Sequence, residues 1–187
     1  MNRTIRHVLL MIFTLVFVTG LIALAQDSPA TPSGYDSLLD TEIRGISAED
    51  IEGYRTGAGL GFALPAELNG YPGPRHVLDF SDELELDEQQ LNEIQSLYDE
   101  MLPQAIDLGG QILQAEAELE LAFREETIST EYLATQLELI EGLRADLRYV
   151  HLSTHLSTIT ILTTHQVQQY NVLRGYADED HTGHHGG

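Results

Sequence analysis

The chain contains no cysteine and no lysine. Without cysteine there can be no disulfides, no thiolate metal sites and no lipid-attachment box, so an exported form of this chain must rely on a packed core or an oligomer. Without lysine, all nine basic residues are arginine, set against 30 acids for a formal net charge of −21. Such a field repels phosphate backbones and anionic headgroups, which argues against nucleic-acid binding. Cations or basic partners are its natural counterparts, and the acids also serve to solubilise helix surfaces. Enzyme signatures are missing too: there is no nucleophile elbow and no acid/base pair, and the carboxylates fall as regular helical surface charge. The run GAGLG at 57–61 resembles a phosphate loop only superficially, because no strand precedes it.

The first 25 residues have basic Arg3 and Arg6, an apolar run from Val8, and Ala23-Leu24-Ala25 before polar Gln26. This pattern predicts an export signal cut after Ala25 and a periplasmic protein, or alternatively an uncleaved inner-membrane anchor. Residues 26–43, rich in Ser, Pro, Thr and Gly, read as a flexible linker. Residues 44–75 combine a short helix, started by Ser47 with Asp50 three positions on, and a Gly/Pro-rich segment that packs on helices. Residues 76–176 read as a helical domain, and 177–187 as an acidic, histidine-rich flexible tail.

Within the helical domain, Leu91, Ile94, Tyr98, Met101, Ala105, Leu108, Ile112, Ala115, Leu119 and Ala122 alternate spacings of three and four. They predict one long helix over 87–124. Pro103 and Gly109-Gly110 predict a kink or curvature in it. After the break at REETIST, Ser129 or Thr130 caps a second long helix with Leu133, Leu137, Ile140, Leu147 and His151 on one stripe. Two long helices joined by a short turn are expected to be antiparallel. The fold class is therefore all-α: a long antiparallel helical hairpin with hooked flanking helices.

There is also an internal echo. LDEQQLNEIQSL from Leu86 and LTTHQVQQYNVL from Leu162 share one pattern, in which Asp87 or Thr163 accepts from the backbone three residues on and Gln90 or Gln166 reaches back. Each copy is a capping box that starts a helix.

These two L-[D/T]-x-x-Q motifs flank the two long helices behind an export signal, in a chain without cysteine. In this the chain resembles the periplasmic LTxxQ-motif family, Spy/CpxP-like proteins and their CnrX/ZraP-type heavy-metal-sensor relatives. The resemblance covers residues 60–176, with Asp87 standing where the pattern has Thr. It implies an intertwined, cradle-shaped homodimer in the periplasm with no catalytic activity. It also implies one of two tasks: binding unfolded proteins or a membrane-bound signalling protein, or binding a transition metal. In the metal-binding relatives, histidines before the first motif and on the long helix before the second hold the ion. His76, ten residues before Leu86, and His155, seven before Leu162, correspond approximately. A further ligand is missing at Phe80-Ser81, and His151 is its candidate replacement.

The residues support the same set without the family. His151 and His155 are four apart, within reach of a single ion from one helix face. If the chain turns near Thr127 to Ile128, Glu100 and Met101 fall level with His155, Met101 on the inward seam and Glu100 on its outer flank, from where it can join only at the edge or from a partner subunit. Imidazoles with a carboxylate suit Zn²⁺, Ni²⁺, Co²⁺ or Cu²⁺, and a thioether leans toward copper. The competing reading makes His151 a core-edge residue hydrogen-bonded to a carbonyl or hydroxyl, and His155 an exposed one. A third makes the histidines pH sensors. In the tail, His181, His184 and His185 can chelate a metal without any fold, or belong to a solvated terminus. The chaperone alternative draws on apolar Leu139, Leu152, Leu156 and Ile159, which lie off the main stripe.

Overall fold

The computed structural model describes residues 34–177, and residues from Ser37 onward belong to one compact unit. The expected signal segment and the tail histidines His181, His184 and His185 lie outside the described residues. Six α-helices follow in order: α1 (Ala48–Thr56), α2 (Leu64–Glu67), α3 (Pro74–Asp79), α4 (Glu88–Arg124), α5 (Thr130–Ile161) and α6 (Thr164–Leu173). No strand occurs among the described residues, and none of the described helices is long and apolar enough to cross a membrane.

The helix starts follow their local chemistry. Ser47 Oγ accepts from the Asp50 amide, and Gly57 ends α1 in the left-handed region at φ 68°. Both capping boxes form in full, with Asp87 and Gln90 starting α4 and Thr163 and Gln166 starting α6. Ser129 caps α5 by accepting from the Tyr132 amide. Between α4 and α5 the chain turns at Glu126, with φ 56°.

The boxes do more than start two helices. The Gln90 and Gln166 amides bond each other reciprocally, Nε2 to Oε1 at 2.9 Å in both directions. Gln90 Nε2 also reaches the Ile161 carbonyl, and Gln166 Nε2 the Leu84 carbonyl. The sequence echo thus becomes one clasp holding the starts of α4 and α6 together.

The two long helices pack against each other, and α4 continues through Pro103. Its inward stripe is Ile94, Met101, Ala105, Ile112, Ala115 and Ala122. Leu91, expected on this stripe, is exposed, because it lies a turn before the packed stripe begins at Ile94. On α5 the stripe is rotated at its start: Leu137 is exposed and Gln136 is buried instead, its amide bonded to the Ala115 carbonyl and to Glu118. Gly109 has a packing role, since a Cβ there would lie 2.2 Å from the Tyr54 carbonyl oxygen of α1.

Two apolar clusters result. One joins α1 to the middle of the long helices through Ile51, Tyr54, Ala105, Ile112 and Leu147. Ile43, at the end of the expected linker, is also buried in it, so the ordered packing begins before residue 44. The other joins α3, the start of α4 and α6 through Val77, Leu84, Ile94, Leu162 and Tyr170. On α5, the buried residues between Leu147 and Leu162 are all polar: His151, Thr154, His155 and Thr158.

Candidate functional site

The two histidines of that stretch line a cavity of about 420 Å³. A buried stripe of imidazoles and hydroxyls stabilises a core less than leucines would, and such local departures from packing rules are where function is sought. His151 and His155 from α5, Met101 from α4 and His76 from α3 all line this cavity. Candidates from three segments widely separated in sequence are thereby brought to one place. Glu100 is not among the lining residues. It sits on the exposed side of α4 beside Ser96 Oγ at 3.4 Å, because a residue next to an inward-facing Met101 is turned about 100° away around the helix.

Two carboxyls line the cavity, Asp79 at the end of α3 and Glu67 of α2, and Glu67 is the buried one at 5% exposed. Tyr170 donates its hydroxyl to Glu67 Oε1 at 2.5 Å, Arg174 donates Nε at 3.0 Å, and the Tyr176 hydroxyl lies at 3.3 Å. His76 Nδ1 and His155 Nδ1 lie 3.7 and 3.8 Å from its two oxygens, electrostatic neighbours beyond hydrogen-bond range. Burial, followed by the bond to Glu67, raises the Tyr170 hydroxyl pKa far above its usual range, so Tyr170 remains a donor.

His155 is buried, and its Nδ1 bonds the Tyr71 carbonyl oxygen at 2.7 Å. A carbonyl only accepts, so Nδ1 carries the proton and the lone pair of the neutral ring is on Nε2. Beside that nitrogen stands Gly73, whose missing Cβ would lie 2.9 Å from Nε2. Only glycine lets the backbone lie this close to the ring. His151 is also buried, and its Nε2 has no hydrogen-bond partner among the described residues. The competing reading therefore has the two rings reversed: the carbonyl-bonded imidazole is His155 and the unpartnered one is His151.

Burial, and secondarily the neighbouring His155, holds the His151 pKa below the ordinary imidazole value. Burial and Arg174 do the same to His76, against the opposite pull of Glu67. Both rings thus favour the neutral form, which is the form that can ligate a metal. As the side chains stand, no group of three or more His, Asp or Glu among the described residues is close enough to hold an ion. What the fold sets in place is a pair of imidazoles on one helix, a thioether opposite and a third imidazole at the rim.

Tyr170 lies in the second capping motif, but its bond to Glu67 joins residues 103 apart, and the roles of Glu67, Tyr71, Gly73 and Arg174 likewise rest on contacts between segments far apart in the chain. The one local hint is an isolated acid in an apolar and glycine-rich run, ALPAELNGYPG. No family model matches the chain, and neither does any curated protein or solved structure.

Proposed function

We propose that the chain is a periplasmic metal-binding protein of the LTxxQ kind, a sensor or buffer that captures a divalent transition ion at the cavity between α3, α4 and α5. The observation that carries this reading is the buried Nε2 of His151, without a partner among the described residues, at the same cavity as His155, whose Nδ1 is held by the Tyr71 carbonyl. A buried polar atom without a partner costs about 1–3 kcal/mol, and a bound ion would supply that partner. Two imidazoles spaced i, i+4, with His76 turning in from the rim and Met101 across the cavity, suit Zn²⁺, Ni²⁺, Co²⁺ or Cu²⁺. The acidic field of the chain concentrates such cations.

The pairings of Gln136 with Glu118, Arg144 with Glu116 and Gln90 with Ile161 support an antiparallel hairpin, with α3 and α6 as its hooks. Tyr149, Leu152, Leu156 and Ile159 recur at spacings of three and four, with Tyr149 72% and Leu156 57% exposed. This second apolar stripe favours a homodimer seam. It also favours the alternative function, an ATP-independent chaperone that binds unfolded chains, basic ones especially, or a membrane-bound signalling partner.

Calorimetric titration with the four ions separates these readings, using a chain in which His181, His184 and His185 are replaced by Asn. Micromolar or tighter binding that disappears in His151→Ala/His155→Ala is the expected result. Absence of binding by all four ions would discard the metal reading and leave the chaperone one, which suppression of client aggregation then checks.

A further inference from the structure

The charges lining the cavity pair with one another, Glu67 with Arg174 and Asp79 with Arg75. Its least regular wall is the glycine-rich loop between α1 and α2. Every residue of 56–64 except Phe62 lines the cavity. Within this loop Leu60 holds φ 43° and Gly61 φ 77°, and the Phe62 amide donates to the Gly59 carbonyl at 2.7 Å. Two successive left-handed residues closed by such a bond make a type I′ turn, whose first central position favours Asn, Asp or Gly. A leucine there is strained, and strain of this kind persists only where the surroundings over-determine it.

What holds the leucine is Gly53 of α1. A Cβ on that glycine would lie 2.3 Å from Leu60 Cδ2, so the side chain sits in a notch that only glycine leaves open. From there Leu60 packs on the apolar cluster of Ile51, Tyr54 and Ala105. The α1 end of the loop is fastened too, since a Cβ on Gly57 would lie 3.0–3.3 Å from Leu102, Ile106 and Ala105 of α4. Between and beyond these two fastenings stand Gly59 and Gly61, which can absorb a change in backbone angles on either side of Leu60.

We propose that loop 57–63 is a lid on the cavity, latched by Leu60 in the Gly53 notch, and that release of this one side chain admits the ligand. Apolar contact of Leu60 keeps the loop shut while the strain at the same residue favours release, so the closed form is held by the difference between two opposing terms. The identity of the ion as the entering ligand rests on the metal reading above, whereas the lid itself does not.

Two variants release the latch from opposite sides. Gly53→Ala displaces Leu60 from a position that does not line the cavity, and alanine suits a helix better than glycine. Leu60→Asn keeps a residue type that the turn favours and removes the apolar contact. Met101 lines the cavity at 7% exposure and is the only methionine among the described residues. Its conversion to sulfoxide by tert-butyl hydroperoxide, followed by peptide mass, therefore reports opening without any metal. Both variants are expected to oxidise at least ~5-fold faster than the parent chain, with the double variant no faster than the quicker single one. Stopped-flow association of Ni²⁺ should quicken in the same variants, and its dissociation with it, on chains carrying Asn at positions 181, 184 and 185. Unchanged oxidation in both variants, or a rise that merely follows global unfolding in urea, would overturn the lid. Faster oxidation with unchanged Ni²⁺ association would overturn its role as the ion's entrance. Faster oxidation in chains that bind none of the four ions would support the lid while the metal reading falls.

Discussion

His155 donates from Nδ1 to the carbonyl oxygen of Tyr71, 84 residues earlier, at 2.7 Å. The bond ties the polar stretch of α5 to the loop before α3, and it fixes which imidazole nitrogen is left to meet a ligand. A histidine with one nitrogen held by a carbonyl is a preoriented ligand, since its ring rotation is already restricted on folding. The neighbouring glycine is part of the same arrangement.

Gly73→Ala places a Cβ 2.8–2.9 Å from His155 Cε1 and Nε2. The backbone there, at φ −88°, is open to alanine, so any effect comes from the side chain. The expected outcome is at least ~10-fold weaker metal binding with about 1–3 kcal/mol lost from overpacking. Titration and denaturant melts of the same variant measure the two separately. Unchanged metal affinity would show that Nε2 of His155 is not a ligand.

The depressed pKa values of His151 and His76 set a pH dependence. Between their folded values and about 6.5, the ordinary imidazole value, the unfolded chain binds more protons than the folded one. Their contribution to stability is therefore complete above about pH 6.5 and is lost as pH falls through the folded values. Melting temperatures measured from about pH 5 to about pH 8 should rise with pH, and His151→Gln should flatten the rise. A slope that survives in that variant would assign it elsewhere.

The clasp between Gln90 and Gln166 calls for a double-mutant cycle. Each amide caps its own helix and bonds the other. Gln90→Ala and Gln166→Ala are each expected to cost about 1–3 kcal/mol, with roughly 1 kcal/mol of coupling between them. Strict additivity would reduce the clasp to two independent caps.

Adjacent glycines in α4 should respond in opposite directions. Gly109→Ala drives a Cβ into the Tyr54 carbonyl, while a Cβ on Gly110 meets nothing within 4 Å. The first is expected to destabilise by more than ~2 kcal/mol, because backbone of α1 must move. The second is expected to stabilise by about 0.5–1 kcal/mol, as alanine does in an exposed helix interior. Chemical denaturation of the two variants checks both signs.

Much of the architecture is legible before folding because its causes are local. Asp87 with Gln90, Thr163 with Gln166, and Ser129 act within one turn, so the helix starts can be read from a few residues. The three- and four-residue spacing likewise announces α4 and most of its inward face. At the start of α5 the inward stripe departs from the apolar pattern: Leu137 is exposed and Gln136 is buried, its amide bonded to the Ala115 carbonyl of α4. Nothing near Gln136 in the chain signals that bond.

For the site the division is sharper. His151 and His155 belong together by sequence alone, since four residues on a helix bring two side chains to one face whatever surrounds them. The charge balance and the absence of thiols also follow from composition alone. Only the tertiary structure decided that Glu67 and Asp79, not Glu100, are the carboxyls at the cavity, that Gly73 lies against one imidazole, and that two arginines line the same cavity. Those relations join α2 to α6 across 103 residues and the loop before α3 to α5 across 84. Such distances close only when apolar burial compacts the chain, and local propensity carries no record of them.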